Sequence, residues 1–207
     1  MGESFGSNVF VNCPFDEEYD PLFKPLLFTI IYIGYTPRVA SERSDSGEQR
    51  ISKICDLIES SMYSIHDISR LKSSEVGEFY RMNMPFELGV DYGGRAYNDQ
   101  LEDKKFLILE TNRYDFQKAI SDLAGVDIKS HNNEPQTLVR RVRNWLRSAT
   151  GKDDIDGPTA IWYEFGDFEG ALYDKLTDEG FSDEDINDLP VIEYIDHARS
   201  WVSGKAE

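Results

Sequence analysis

Short apolar runs alternate with polar stretches along the first half of this 207-residue chain. Asn8-Val-Phe-Val-Asn-Cys13 is β-branched and aromatic, the pattern of a buried strand. Leu22, Leu26, Leu27, Ile30 and Ile31 then recur at helical spacing, and Gly34 closes that helix. Thr36–Ala40 reads as a second strand. Ile51, Ile54, Cys55 and Ile58 mark a second amphipathic helix. Tyr63–Ser69 is a third strand, and a polar loop containing Gly77 follows it. A third helix carries Glu87 near its start and is expected to end at Gly93-Gly94. Lys104–Glu110 is a fourth strand.

This order of alternating strands and helices predicts a flavodoxin- or Rossmann-like parallel sheet with helices on both faces. Ligands in such sheets bind beyond the C-terminal ends of the strands. Polar residues collect at those ends: Asn12 and Asp16, Arg38, Asp67 and Ser69, with Glu87 just beyond. Further along, Ser121–Ile128 and His131 form either a short fifth strand or a loop over the sheet. Glu134–Ala149 reads as a helix with Leu138, Val142, Trp145 and Leu146 inward. Gly151–Pro158 is a break, taken as the boundary between an α/β domain (1–150) and an acidic helical extension (151–207). Ala160–Leu176 and Ile186–Val202 are its expected helices, docked through Phe165, Phe168, Leu172, Ile195 and Trp201.

The net charge of −17 narrows the functional classes. From Gly151 onward there are 16 acids against 4 bases, so most of the excess lies in the extension. Phosphate neutralisation needs the opposite sign, which argues against direct nucleic-acid binding. The one basic run, Arg140-Arg-Val-Arg143 with Arg147, reads as a solvated helix face pairing with that acidic region. No apolar run approaches the ~18 residues of a membrane span, and no signal peptide is expected, so the expected setting is cytoplasmic. Two cysteines, Cys13 and Cys55, make no disulfide framework and are expected to be reduced and buried.

The residues with most chemical content are in Arg81-Met-Asn-Met-Pro-Phe-Glu-Leu-Gly89. Apolar neighbours place Glu87 at a pocket wall rather than in open water. A carboxylate beside an anomeric carbon can attack it or stabilise the oxocarbenium-like centre that forms as a C–N glycosidic bond breaks. The plain alternative is a helix-start acid with no other role. Asp67 is the best second acid. Strand alternation sends His66 and Asp67 to opposite sides, and Asp67 is the one expected at the site, with Ser69 beside it. Either could instead serve a turn or a cap. Asn12, Phe15 and Asp16 follow the first strand, where a ribose or base would lie; Phe15 would stack on the base or pack as core. Arg38 would meet a phosphate or form a surface ion pair. Arg81 and Asn83 complete the expected substrate-binding set. Asp127 and His131 have metal-ligand spacing, but nothing supplies further ligands, so no metal is expected.

Phe86-Glu-Leu-Gly89 resembles the nucleophile segment of nucleoside 2-deoxyribosyltransferases. Toll/interleukin-1-receptor (TIR) domains that cleave NAD are fold relatives and carry a glutamate at a similar place. The resemblance spans roughly Asn8 to Glu110, anchored also by Val9-Phe-Val-Asn-Cys-Pro-Phe-Asp16 and His66-Asp-Ile-Ser69. The chain is also similar to bacterial proteins of unassigned activity that share Asn-Cys-Pro-Phe-Asp, Asn-Met-Pro-Phe-Glu-Leu-Gly and Ser-Asp-Leu-Ala-Gly segments. The resemblance implies an N-glycosidase acting on NAD, a nucleotide or a nucleoside as substrate, with no cofactor and with Glu87 as nucleophile or cation stabiliser. It gives Asp67 a base-contacting or proton-handling role. It further implies a homo-oligomer or a defence-system partner protein, in an antiphage setting. The bulky Asn83–Phe86 stands where the deoxyribosyltransferases carry an acid and small residues, which leaves hydrolysis more open than base exchange. The alternative is a non-catalytic nucleotide-sensing or assembly module on the same fold.

Overall fold

Asn8–Asn12 (β1), Thr36–Val39 (β2), Tyr63–Asp67 (β3), Lys105–Glu110 (β4) and the two-residue Lys129–Ser130 (β5) form one sheet, every pairing parallel. The computed structural model describes residues 4–71 and 82–205. The strand order is β2-β1-β3-β4-β5, the flavodoxin-like order. The chain leaves β1 toward one edge and returns past it to β3. The crevice between the ends of β1 and β3 is therefore the topological switch point.

Helices cover both faces, as the alternation along the chain requires. Asp20–Tyr32 (α1) and Pro135–Thr150 (α4) pack on the face presented by Val9, Val11, Ile65, Leu107 and Leu109. Arg50–Glu59 (α2) and Asn83–Tyr97 (α3) lie on the other, which presents Phe10 and Ile108. Gly34 ends α1 and Gly151 ends α4, each at a positive φ (93° and 72°) that favours a residue without a Cβ.

Three expectations for the α/β part change here. The third helix does not stop at Gly93-Gly94 but runs on to Tyr97. Gly in a helix interior costs roughly 1 kcal/mol relative to Ala, and tertiary contacts outweigh it: Arg95 lies over the rings of Tyr92 and Phe106, at 4.9 and 4.3 Å. The helix also begins at Asn83, so Glu87 stands on its second turn, past the reach of the end dipole. Cys13 is buried as expected, but Cys55 is half-exposed on α2.

The acidic C-terminal part adds Pro158–Asp178 (α5), Asp183–Asn187 (α6) and Val191–Gly204 (α7). Its apolar residues belong to the same cluster as the sheet face under α1. Phe28 of α1 stacks on Phe168 of α5 at 5.2 Å, and Phe168 meets Tyr194 and Trp201 of α7. The segment between α4 and α5 is tied down: Arg143 donates to the carbonyls of Ile155 and Asp156, and Arg147 pairs with Asp153. The basic helix face thus meets the start of the acidic region. Phe168 is 2 % exposed, so Phe168→Ala should cost about 3–5 kcal/mol. A urea melt would measure it; a loss below about 1 kcal/mol would show that α5 contributes little to the common core.

Candidate functional site

The end of β1 and the start of α3 are joined by one side chain. Asn12 is 1 % exposed, and its Nδ2 donates to the Met84 carbonyl (2.9 Å) and meets His66 Nδ1 (3.0 Å). Both amide hydrogens are consumed, so Asn12 is a strut between β1, β3 and α3 rather than a free ribose contact. Because His66 Nδ1 accepts, its ring proton sits on Nε2, which faces Asp91 Oδ2 at 3.1 Å. Ser64 Oγ donates to the same oxygen (2.5 Å), and Lys104 Nζ pairs with Asp91 Oδ1 at 2.7 Å. Burial pushes the Asp91 carboxyl up, but His66 and Lys104 outweigh it and hold it below the ordinary aspartate value. This buried network fixes α3 on the sheet one turn beyond Glu87.

Glu87 is 4 % exposed. Its Oε1 lies 3.3 Å from an Nη of Arg50, the first residue of α2. Among the described residues Oε2 makes no hydrogen bond. Burial pushes the Glu87 carboxyl above its ordinary value, and Arg50 offsets this only in part. One oxygen is held, the other has no hydrogen-bond partner among the described residues, and the group is partly desolvated. A carboxylate so placed is prepared to meet a developing positive charge.

Asp67 lies in a second network, on the other face of the sheet. Alternation along β3 does separate it from His66: His66 shares the face of α3 and Glu87, whereas Asp67 turns toward the start of α1. Its carboxylate is fully enclosed. It accepts from Tyr19 OH (2.5 Å), the Ser69 backbone N–H (2.9 Å) and the Ser69 hydroxyl, and it lies 3.0 Å from His131 Nε2. Burial pushes this carboxyl up as well, but the donors from His131, Ser69 and Tyr19 bring it below the ordinary range. His131 Nδ1 accepts from the Asn133 N–H (3.1 Å), so its proton is on Nε2, shared between Asp67 and Ser69 Oγ (3.0 Å). A serine-hydrolase triad sets hydroxyl and carboxylate against different ring nitrogens, and this cluster does not. Asp127, four residues before His131, instead pairs with Lys129 at the surface.

The other expected contacts disperse. Arg38 is bonded by Nε and an Nη to Glu42 at the far side of β2. Asp16 accepts from the Tyr19 N–H (3.1 Å) and from Arg70 (2.8 Å). Phe15 is 40 % exposed, edge-on to Phe23 at 5.4 Å. Asn83 is exposed at the first position of α3, and Arg81 lies outside the described residues. Ser69 stands at the lip of a polar cleft of about 210 Å³ beyond β3 and β4, with Arg70, Thr111, Asn112 and Asn133. A larger cleft, about 910 Å³, lies between the start of α1 and α5–α6, lined by Glu17, Asp20, Glu169 and Glu184 among others; no expected site residue lines it. Among the described residues no three His, Cys, Asp or Glu side chains gather as metal ligands, and no helix is long and apolar enough to cross a membrane.

The residues that sequence reading overlooked are Arg50, Tyr19, Asp91, Lys104 and His131 as a bonded partner. Asp91 had a usable signal: it follows Glu87 by four positions, on the same buried helix face. The other partners are joined only by the fold. Comparison of the chain with protein-family models, with curated proteins and with solved structures finds no match. The class defined by fold and site is accordingly broad: a flavodoxin-like parallel α/β protein with a buried carboxylate beside its switch point.

Proposed function

We propose that this chain is an N-glycosidase that hydrolyses the bond between a base and ribose in NAD or a related nucleotide or nucleoside. The observation that carries this reading is Glu87: 4 % exposed, held among the described residues through one oxygen, on a helix whose start is strapped to the end of β1 through Asn12. As the C–N bond lengthens, positive charge grows on the anomeric carbon and the base takes the bonding pair. Oε2 of Glu87 attacks that carbon or stabilises its charge, and water then completes hydrolysis. Electrostatics favour this step, because a partly desolvated carboxylate gains more from a new positive charge than an exposed one does. Ser69, at the lip of the polar cleft beyond β3 and β4 and bonded to Asp67 and His131, suits a contact to the base or the ribose. An antiphage effector role, with assembly as the trigger, follows from the family resemblance.

A non-catalytic nucleotide-sensing or assembly module is the second reading. It draws on the enclosure of Asp67 and on the exposed apolar side chains flanking Glu87, with Met82 52 % and Phe86 61 % exposed. Chromatography of reactions with NAD, NADP, nucleotides and nucleosides, at low and high protein concentration, separates the two. Free nicotinamide or free base supports the glycosidase. No product under any condition, with nucleotide-dependent thermal stabilisation, supports the module.

A further inference from the structure

We infer that Arg50 is the positioning residue of Glu87: it anchors Oε1, keeps the carboxylate ionised in a buried setting, and leaves Oε2 as the reacting oxygen. The catalytic consequence rests on the glycosidase reading, whereas the electrostatic coupling does not. The two side chains are complementary in exposure. The Arg50 side chain is 56 % exposed and that of Glu87 5 %, so the guanidinium keeps most of its hydration while the carboxylate is partly desolvated. The pair is therefore asymmetric: little is lost by desolvating the cation, and the anion gains a countercharge. The contact comes from the first residue of α2, on the same side of the sheet as α3, and the two helices pack together.

The surroundings support the assignment. Among the described residues the charged or titratable groups near Glu87 are few. Asp91, one turn along α3, is committed to His66, Ser64 and Lys104. Cys13, after β1, is a thiol pushed up by burial and then by Asp67, Glu87 and Asp16 in turn, so it supplies no countercharge. Arg43 and Lys53, the other cations around α2, are engaged by Glu48. Arg50 alone opposes the desolvation of Glu87 among these groups.

Arg50→Gln and Arg50→Lys test this in the full-length protein, since position 50 is a surface site and both variants should fold. The first readout needs no substrate: the carbon-13 carboxyl resonance of Glu87, assigned by its loss in Glu87→Gln, is followed against pH. The midpoint should move to higher pH in Arg50→Gln and return most of the way in Arg50→Lys. The second readout is the pH profile of kcat/KM for whichever substrate wild type cleaves. Its acid limb should move the same way, with a loss of about tenfold or more at the acid end and a smaller one at the alkaline end. An unmoved carboxyl midpoint in Arg50→Gln would overturn the inference. So would an equal loss of activity at every pH, which would mark Arg50 as a substrate contact. A shifted midpoint with no base released by wild type from any substrate would uphold the coupling while removing the glycosidase reading.

Discussion

Glu87→Gln should abolish base release and, at the same time, make the protein more stable at neutral pH. The amide keeps the shape and can still bind nucleotide, but it cannot attack an anomeric carbon or neutralise an oxocarbenium charge. The expected loss in kcat is about 10³-fold or more, the scale for removing a group that acts in the transition state. The stability change follows from linkage. The folded-state carboxyl lies above its ordinary value, chiefly through burial. A group raised in this way contributes fully below the unfolded-state value of ~4.3, and the contribution is lost as pH rises through the folded value. At neutral pH the native state therefore carries the cost of an ionised buried carboxylate, which glutamine removes. Denaturant midpoints of wild type and variant should coincide near pH 4 and separate as pH rises, the variant being higher. Loss of activity with equal or lower stability at neutral pH would mean that Glu87 is not held against its ordinary ionisation.

The second large effect should come from the Asp91–Lys104 pair, and with the opposite sign. Both side chains are wholly buried. Lys104→Met leaves Asp91 with His66 and Ser64 only, an anion without its cation, at a cost of about 3–5 kcal/mol. Asp91→Asn strands the ammonium instead and should cost a similar amount. The double variant should recover much of the loss, because the attraction within a buried pair roughly offsets its own desolvation. Asp91 and Asp67 both sit below their ordinary values despite burial. Their contribution is present above ~3.8 and is lost as pH falls through the lower folded values. Wild type should thus lose stability at strongly acid pH, and Asp91→Asn should lose less of it. Single and double losses that simply add would show that the two residues do not share one interaction.

Much of the sheet was legible because its signals are local. Val9, Phe10 and Val11 read as a buried strand through their β-branched and aromatic content, and the spacing from Leu22 to Ile31 reads as a helix. The parallel order followed from alternation. The boundaries of α3 were less legible. Gly93-Gly94 reads as a stop by propensity, and the rings that hold Arg95 over the helix end come partly from β4, outside any local window. The site was legible at one point, the carboxylate among apolar neighbours at Glu87. Its partner Arg50 lies 37 positions earlier, in a helix whose apolar stripe gives no hint that its first residue reaches across to α3. The same holds for His131 and Tyr19, which meet Asp67 only once β5 and α1 are in place. Asn12 illustrates the reverse error. A polar residue at a strand end signals a ligand or a strut equally well, and only its two acceptors, His66 and the Met84 carbonyl, decide for the strut.

Cys13 has a practical consequence. Its sulfur is sealed behind the end of β1, and burial together with three neighbouring carboxylates suppresses the thiolate form that alkylating reagents need. Cys55, half-exposed on α2, is pushed up too, by burial and by Glu59 and Asp56, but its sulfur is not enclosed as that of Cys13 is. The chain thus contains its own paired clock. Cys55 is labelled without any opening of the fold, while Cys13 must wait for the packing between the end of β1 and α1 to open. The ratio of the two labelling rates, read by mass spectrometry, measures how often the α1 side of this sheet end opens, with no residue replaced and no substrate known.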